Sequence, residues 1–93
     1  MSFDLDQIID RVMNNYSIIL YNDDVNTIET VTANLIDKCG HGLYQAIQCV
    51  ELAHLTGSCE IKRGRMTDLY GICKDLLESG FIVEINADTE QLV

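Results

Sequence analysis

Tyr16-Ser17-Ile18-Ile19-Leu20-Tyr21-Asn22-Asp23-Asp24 is the stretch on which the fold turns. Tyr16, Ile18 and Leu20 alternate with Ser17, Ile19 and Tyr21, which is the period of a β-strand. Apolar side chains on both faces predict that helices cover at least one side. The run then stops abruptly at an amide and two carboxylates, leaving short polar side chains at the edge of a packed domain. One helical hairpin later comes His54, in Leu52-Ala53-His54-Leu55-Thr56-Gly57. Together these residues have the character of a grip for a small cation.

Working outward, Asn26 reads as a helix N-cap with Glu29 as its capping-box partner. Ile28, Val31, Leu35 and Cys39 fall on one face of that helix, and Gly40 and Gly42 end it. Leu43, Ala46, Ile47, Val50 and Ala53 mark the buried stripe of a second helix, stopped by Gly57. Cys59 and Ile61 alternate with Ser58 and Glu60 as a short strand, and Lys62-Arg63-Gly64-Arg65 reads as a basic turn with a solvated face. Met66, Leu69, Ile72 or Cys73, Leu76 and Leu77 form a third amphipathic helix, closed by Gly80. Phe81, Val83 and Ile85 alternate with Ile82 and Glu84 as a last strand. The order β-α-α-β-α-β predicts an α+β domain, with three helices packed on one face of a three-stranded antiparallel sheet. Before it, residues 1–15 form an N-terminal extension in which Leu5, Ile8, Ile9, Val12 and Met13 approach helical spacing. The core is expected over 16–93, with 86–93 as an acidic tail.

Ninety-three residues make one domain, and a domain of this size has little stability to spare. The formal charge is −9, with only six Lys and Arg against fifteen Asp and Glu. Neutralising phosphates needs clustered basic side chains, so nucleic acid and anionic membrane surfaces are excluded as partners. A partner carrying positive charge fits better. No secretory signal and no membrane span is visible, which points to a cytoplasmic protein. Disulfides are not expected there, and Cys39, Cys49, Cys59 and Cys73 read as small buried apolar residues. Zinc ligation by Cys39 with His41, or by Cys49, Cys59 and His54, matches none of the usual ligand spacings, so no metal or other cofactor is expected. His41, between two glycines, reads as a loop residue.

Asn22-Asp23-Asp24, Glu29, Val31, Ala53-His54 and Gly57, in this spacing, resemble the ClpS family, the adaptors of bacterial Clp proteases. The resemblance covers residues 16–85 and is loosest after Gly57. It implies that the protein binds the N-terminal residue of a substrate protein, the N-degron, and delivers it to a Clp AAA+ unfoldase of the ClpA or ClpC type through that partner's N-terminal domain. An α-amino group is mostly cationic at neutral pH and offers three donors. By resemblance Asn22, Asp24 and His54 match the positions that accept from it, and Asp23 matches the position between them.

The pocket for the first side chain carries over less cleanly. The family threonine and methionine correspond here to Asn26 and Ile28, the valine is kept as Val31, and a second methionine corresponds to Val50. The last apolar contact falls at Phe81 or Ile82. Isoleucine is stiffer than methionine, so the pocket is expected to depart from the common Phe, Tyr, Trp and Leu preference. The alternative function is a degenerate relative that docks on the unfoldase without reading N-termini. An enzyme is disfavoured, because no nucleophile, phosphate loop or metal motif accompanies Asp24 and His54.

Overall fold

The computed structural model describes residues 4–6 and 15–87. Strand β1 (Tyr16–Tyr21) lies in the middle of a sheet of order β2-β1-β3, antiparallel to β2 (Ser58–Gly64) on one side and to β3 (Val83–Ala87) on the other. Helices α1 (Ile28–Cys39) and α2 (Leu43–Thr56) connect β1 to β2, and α3 (Met66–Glu78) connects β2 to β3. This is the α+β order expected from the sequence. Packing takes α3 across all three strands, while α1 and α2 pair with each other and reach β2.

The core follows from the strand period. Ile18 and Leu20 of β1 point inward beside Val83 and Ile85 of β3, and Cys59 faces Leu20 across the β1–β2 pair. Leu35, Cys39, Ala46, Val50, Leu69, Cys73 and Leu76 close over them from the helices. Ile18, Leu35, Leu69 and Leu76 are the largest fully buried side chains. A register shift between Ile18 and Ile19 leaves Ile61 as an extra residue on β2, and Cys59 and Ile61, two residues apart, are both buried.

Several expectations are corrected. The N-cap of α1 is Thr27, whose hydroxyl accepts from the Thr30 N–H at 3.2 Å. Asn26 fails to cap because its side-chain amide donates elsewhere, to Asp23 and to the Gly80 carbonyl. Gly40 alone caps α1, in a left-handed conformation, and Gly42 is already the N-cap of α2. Strand β2 runs on through Lys62, Arg63 and Gly64, which are therefore not a turn. Lys62 donates to the Cys39 carbonyl at the end of α1, where a cation is favoured by the helix dipole, and Arg63 pairs with Glu60 at 3.0 Å. His41 is buried rather than a loop ornament, with its Nε2–H donating to the Ile61 carbonyl at the β2 bulge. Strand β3 begins at Val83 and continues through Ala87, so Phe81 and Ile82 precede it and Asn86 and Ala87 leave the expected tail.

Leu43 and Leu77, placed on buried stripes by their spacing, are 63% and 53% exposed. In the extension, Leu5 is exposed, whereas Ile8, Ile9, Val12 and Met13 lie outside the described residues, as do residues 88–93. Among the described residues no helix is long and apolar enough to cross a membrane.

Candidate functional site

Where β1 ends, the backbone is pinned on two sides. The Tyr21 N–H donates to the Ile82 carbonyl at 2.8 Å, and the Asn22 N–H donates to the Gly57 carbonyl at 3.0 Å. Gly57 is the left-handed C-cap of α2, at φ 98°, a conformation glycine adopts without the penalty a Cβ would bring. The Asn22–Gly57 bond therefore holds the exit of β1 against the last turn of α2, the turn that carries Ala53 and His54.

The loop that follows is organised by Asp23. Its Oδ1 accepts from the N–H groups of Val25 (2.9 Å) and Asn26 (2.7 Å), and its Oδ2 accepts from Asn26 Nδ2 (3.1 Å). Asn26 Nδ2 also donates to the Gly80 carbonyl at 3.0 Å, anchoring the loop to the α3–β3 connection. Burial raises the Asp23 carboxyl, but bonds from the Asn26 backbone and side chain and the Val25 backbone outweigh it and hold the group below its ordinary value. Asp23 is thus an ionised loop organiser whose two oxygens are both engaged within the loop.

No hydrogen bond ties the side chains of Asn22, Asp24 or His54 to another described residue, and all are exposed. They converge on a cavity of about 200 Å³. Its lining joins Asn22, Asp23, Asp24 and His54 to Asn26, Ile28, Val31 and Val50, and adds Leu20, Tyr21 and Ala53. The lining therefore presents a carboxylate, a carboxamide and an imidazole beside a helix C-terminus, all features that favour a cationic donor, together with apolar side chains. Ile28, 64% exposed, faces this cavity at the start of α1 and is not core as its spacing suggests. The Tyr21 hydroxyl donates to the Glu84 carboxylate across the β1–β3 pair. That bond, then burial and the nearby negative charge, push the phenol above its ordinary value, so Tyr21 stays neutral at the rim.

Phe81 departs from the expected set. It is 3% exposed within the core cluster, held by its N–H to the Leu76 carbonyl, and does not line the cavity. Leu20, Tyr21 and Ala53 were not assigned to the pocket from sequence. Leu20 is the last inward-facing position of β1 and Ala53 precedes His54, so the strand and helix periods carried the signal. Among the described residues no three His, Cys, Asp or Glu side chains gather as metal ligands.

The model of the family described as "ATP-dependent Clp protease adaptor protein ClpS" matches residues 11–79. The chain belongs to the ClpS family. It is therefore a member of a family of protease adaptors and not of enzymes. The fold of this ClpS-family chain is similar to that of ClpS2 from Agrobacterium tumefaciens, solved bound to L-phenylalaninamide, with a TM-score of 0.72 at 20% identity. That match covers 78% of this chain and 95% of the Agrobacterium chain. No curated protein matches the sequence.

Proposed function

We propose that this ClpS-family domain binds the free N-terminal residue of a substrate protein and delivers it to a Clp AAA+ unfoldase, of the ClpA or ClpC type, through that partner's N-terminal domain. The observation that carries the reading is the cavity that Asn22, Asp24 and His54 share with the apolar side chains of Leu20, Ile28, Val31, Val50 and Ala53. An N-terminal residue has the matching two-part chemistry, a cationic amine with up to three donors beside a side chain. L-phenylalaninamide, the molecule bound to Agrobacterium ClpS2, has the same two parts, a free α-amine and an apolar ring. In this reading the ammonium donates to the Asp24 carboxylate, the Asn22 side-chain carbonyl and an unprotonated nitrogen of His54. Asp23 shapes the loop that aims Asn22 and Asp24.

Ile28, Val31, Val50, Ala53 and Leu20 receive the side chain of the bound residue. The β-branched members of this wall hold their shape, so the pocket ranks first residues by fit to a stiff, medium-sized apolar space. Asn26 adds a polar group at its edge. The domain tethers substrate at the unfoldase and carries out no chemistry itself.

Fluorescence anisotropy with peptides that differ only in their first residue tests the reading, each paired with an N-acetylated copy. Hydrogen bonds to a charged group contribute about 1.5–3 kcal/mol each, so acetylation should weaken binding by at least about 100-fold. Asp24→Ala and His54→Ala should each weaken it by roughly 10-fold or more. Equal binding of free and acetylated peptides, or of none, would leave the degenerate docking domain as the surviving reading.

A further inference from the structure

Cys49 of α2 and Cys59 of β2 are brought together by the α2–β2 reversal. Both thiols reach the same Glu60 carbonyl, Cys59 at 3.4 Å and Cys49 at 3.9 Å. The shared carbonyl places the two sulfurs on one acceptor atom, and so makes them neighbours across the α2–β2 seam. Cys59 is buried, whereas Cys49 is half-buried and is the member of the pair that solvent reaches. Neither thiol belongs to the cavity lining, but Val50, the neighbour of Cys49, does, and Ala53 and His54 follow on the same helix.

We propose that Cys49 and Cys59 form a reversible disulfide in response to hydrogen peroxide, fastening the helix that carries His54 to the edge strand β2. In the first step the Cys49 thiolate attacks one peroxide oxygen. The O–O bond breaks, hydroxide leaves and takes up a proton as water, and Cys49 becomes a sulfenic acid. In the second step the Cys59 sulfur attacks the Cys49 sulfur. The S–S bond forms, the S–O bond breaks, and the departing hydroxide leaves as water with the Cys59 proton. Two thiols are oxidised, one peroxide is reduced and two waters are formed. A dithiol reductant reverses the change by exchange. Burial, then the neighbouring Cys49 and the Glu60 charge, push the Cys59 thiol up to about 12, so it waits protonated until a sulfenic acid forms beside it. A transient bridge of this kind suits a compartment where structural disulfides do not persist. The proposal does not depend on what the cavity binds.

The test uses the full chain, reduced and then treated with hydrogen peroxide. Thiol titration in denaturant should fall from four free cysteines to two, and dithiothreitol should restore all four. Cleavage after glutamate places Cys59 on the Leu52–Glu60 peptide and Cys49 on Thr30–Glu51, with Cys39. Mass spectrometry should find these two peptides linked, with fragmentation placing the bridge at Cys49. Cys49→Ser should abolish the peroxide-dependent loss of thiols. In Cys59→Ala the first step should still occur, so that dimedone labels Cys49. A bridge from Cys39 instead, a disulfide-linked dimer, or Cys49 oxidised to sulfinic acid while Cys59 stays a thiol would each overturn the proposal. Mapping on the unmutated chain decides it even if a variant fails to fold.

Discussion

Replacing Asp23 and Asp24 one at a time by alanine should separate two adjacent carboxylates with opposite duties. Asp23→Ala removes three acceptor contacts, to the Val25 N–H, the Asn26 N–H and Asn26 Nδ2. A typical intramolecular hydrogen bond contributes about 0.5–1.5 kcal/mol net. Solvent at this rim replaces part of each, so the total loss should be about 1–2 kcal/mol, comparable to deleting a helix cap. For a domain of this size that lowers Tm by roughly 5–15 °C. The pH dependence fixes the cause. The folded carboxyl lies below its ordinary value, so its stabilisation is fully present above the unfolded value of about 4 and is lost as pH falls through the folded one. Thermal melts of the two proteins should therefore differ most near neutrality and converge in acid. Asp23→Ala combined with Asn26→Ala should cost less than the sum of the single changes, because both remove the bond between Asn26 Nδ2 and Asp23 Oδ2. Asp24→Ala should leave Tm within about 2 °C while weakening binding of a free N-terminal peptide. An unchanged Tm for Asp23→Ala at neutral pH, or an equal loss for Asp24→Ala, would refute the assignment of loop organiser and ligand.

Four further substitutions probe the supports of the site and the core. His41→Leu keeps the volume but strands the Ile61 carbonyl in a buried place, and should cost about 1–3 kcal/mol in urea unfolding. Gly57→Ala meets no atom within 4 Å, so its cost of roughly 1–2 kcal/mol comes from the backbone alone. The same change should weaken peptide binding, since the Gly57 carbonyl positions Asn22. Leu69→Ala, at a fully buried position, should cost about 2–5 kcal/mol by chemical denaturation, whereas Leu77→Ala, half-exposed, should cost under about 1 kcal/mol.

The architecture was legible because each element carries a clean period. Ile18 and Leu20 in β1, Leu35 and Cys39 in α1, and Leu69, Cys73 and Leu76 in α3 fall on the core at the spacing their element requires. What escaped were features set by distant partners. Asn26 looks like a cap until Gly80 is seen to accept its amide, and Lys62 looks like a turn residue until the end of α1 is seen beside it. His41 gives no local sign that it fills the space under the β2 bulge. Phe81 alternates with Val83 as a strand residue would, but its N–H closes the end of α3 and its ring is committed to the core. Of the residues suggested for the site, Asn22, Asp23, Asp24, Asn26, Ile28, Val31, Val50 and His54 line one cavity. Their spacing along the chain does not reveal that Asp23 spends both oxygens on its own loop.

The central place of β1 has a consequence for biosynthesis. Its two neighbours come from later in the chain, and Tyr16 pairs with Ala87 while Gly80 secures the loop at Asn26. A ribosome-bound chain that has released only its first half would hold an unpaired strand and an unsupported loop. The sheet around β1 and the anchor of its exit loop are thus completed only when the last strand has been made.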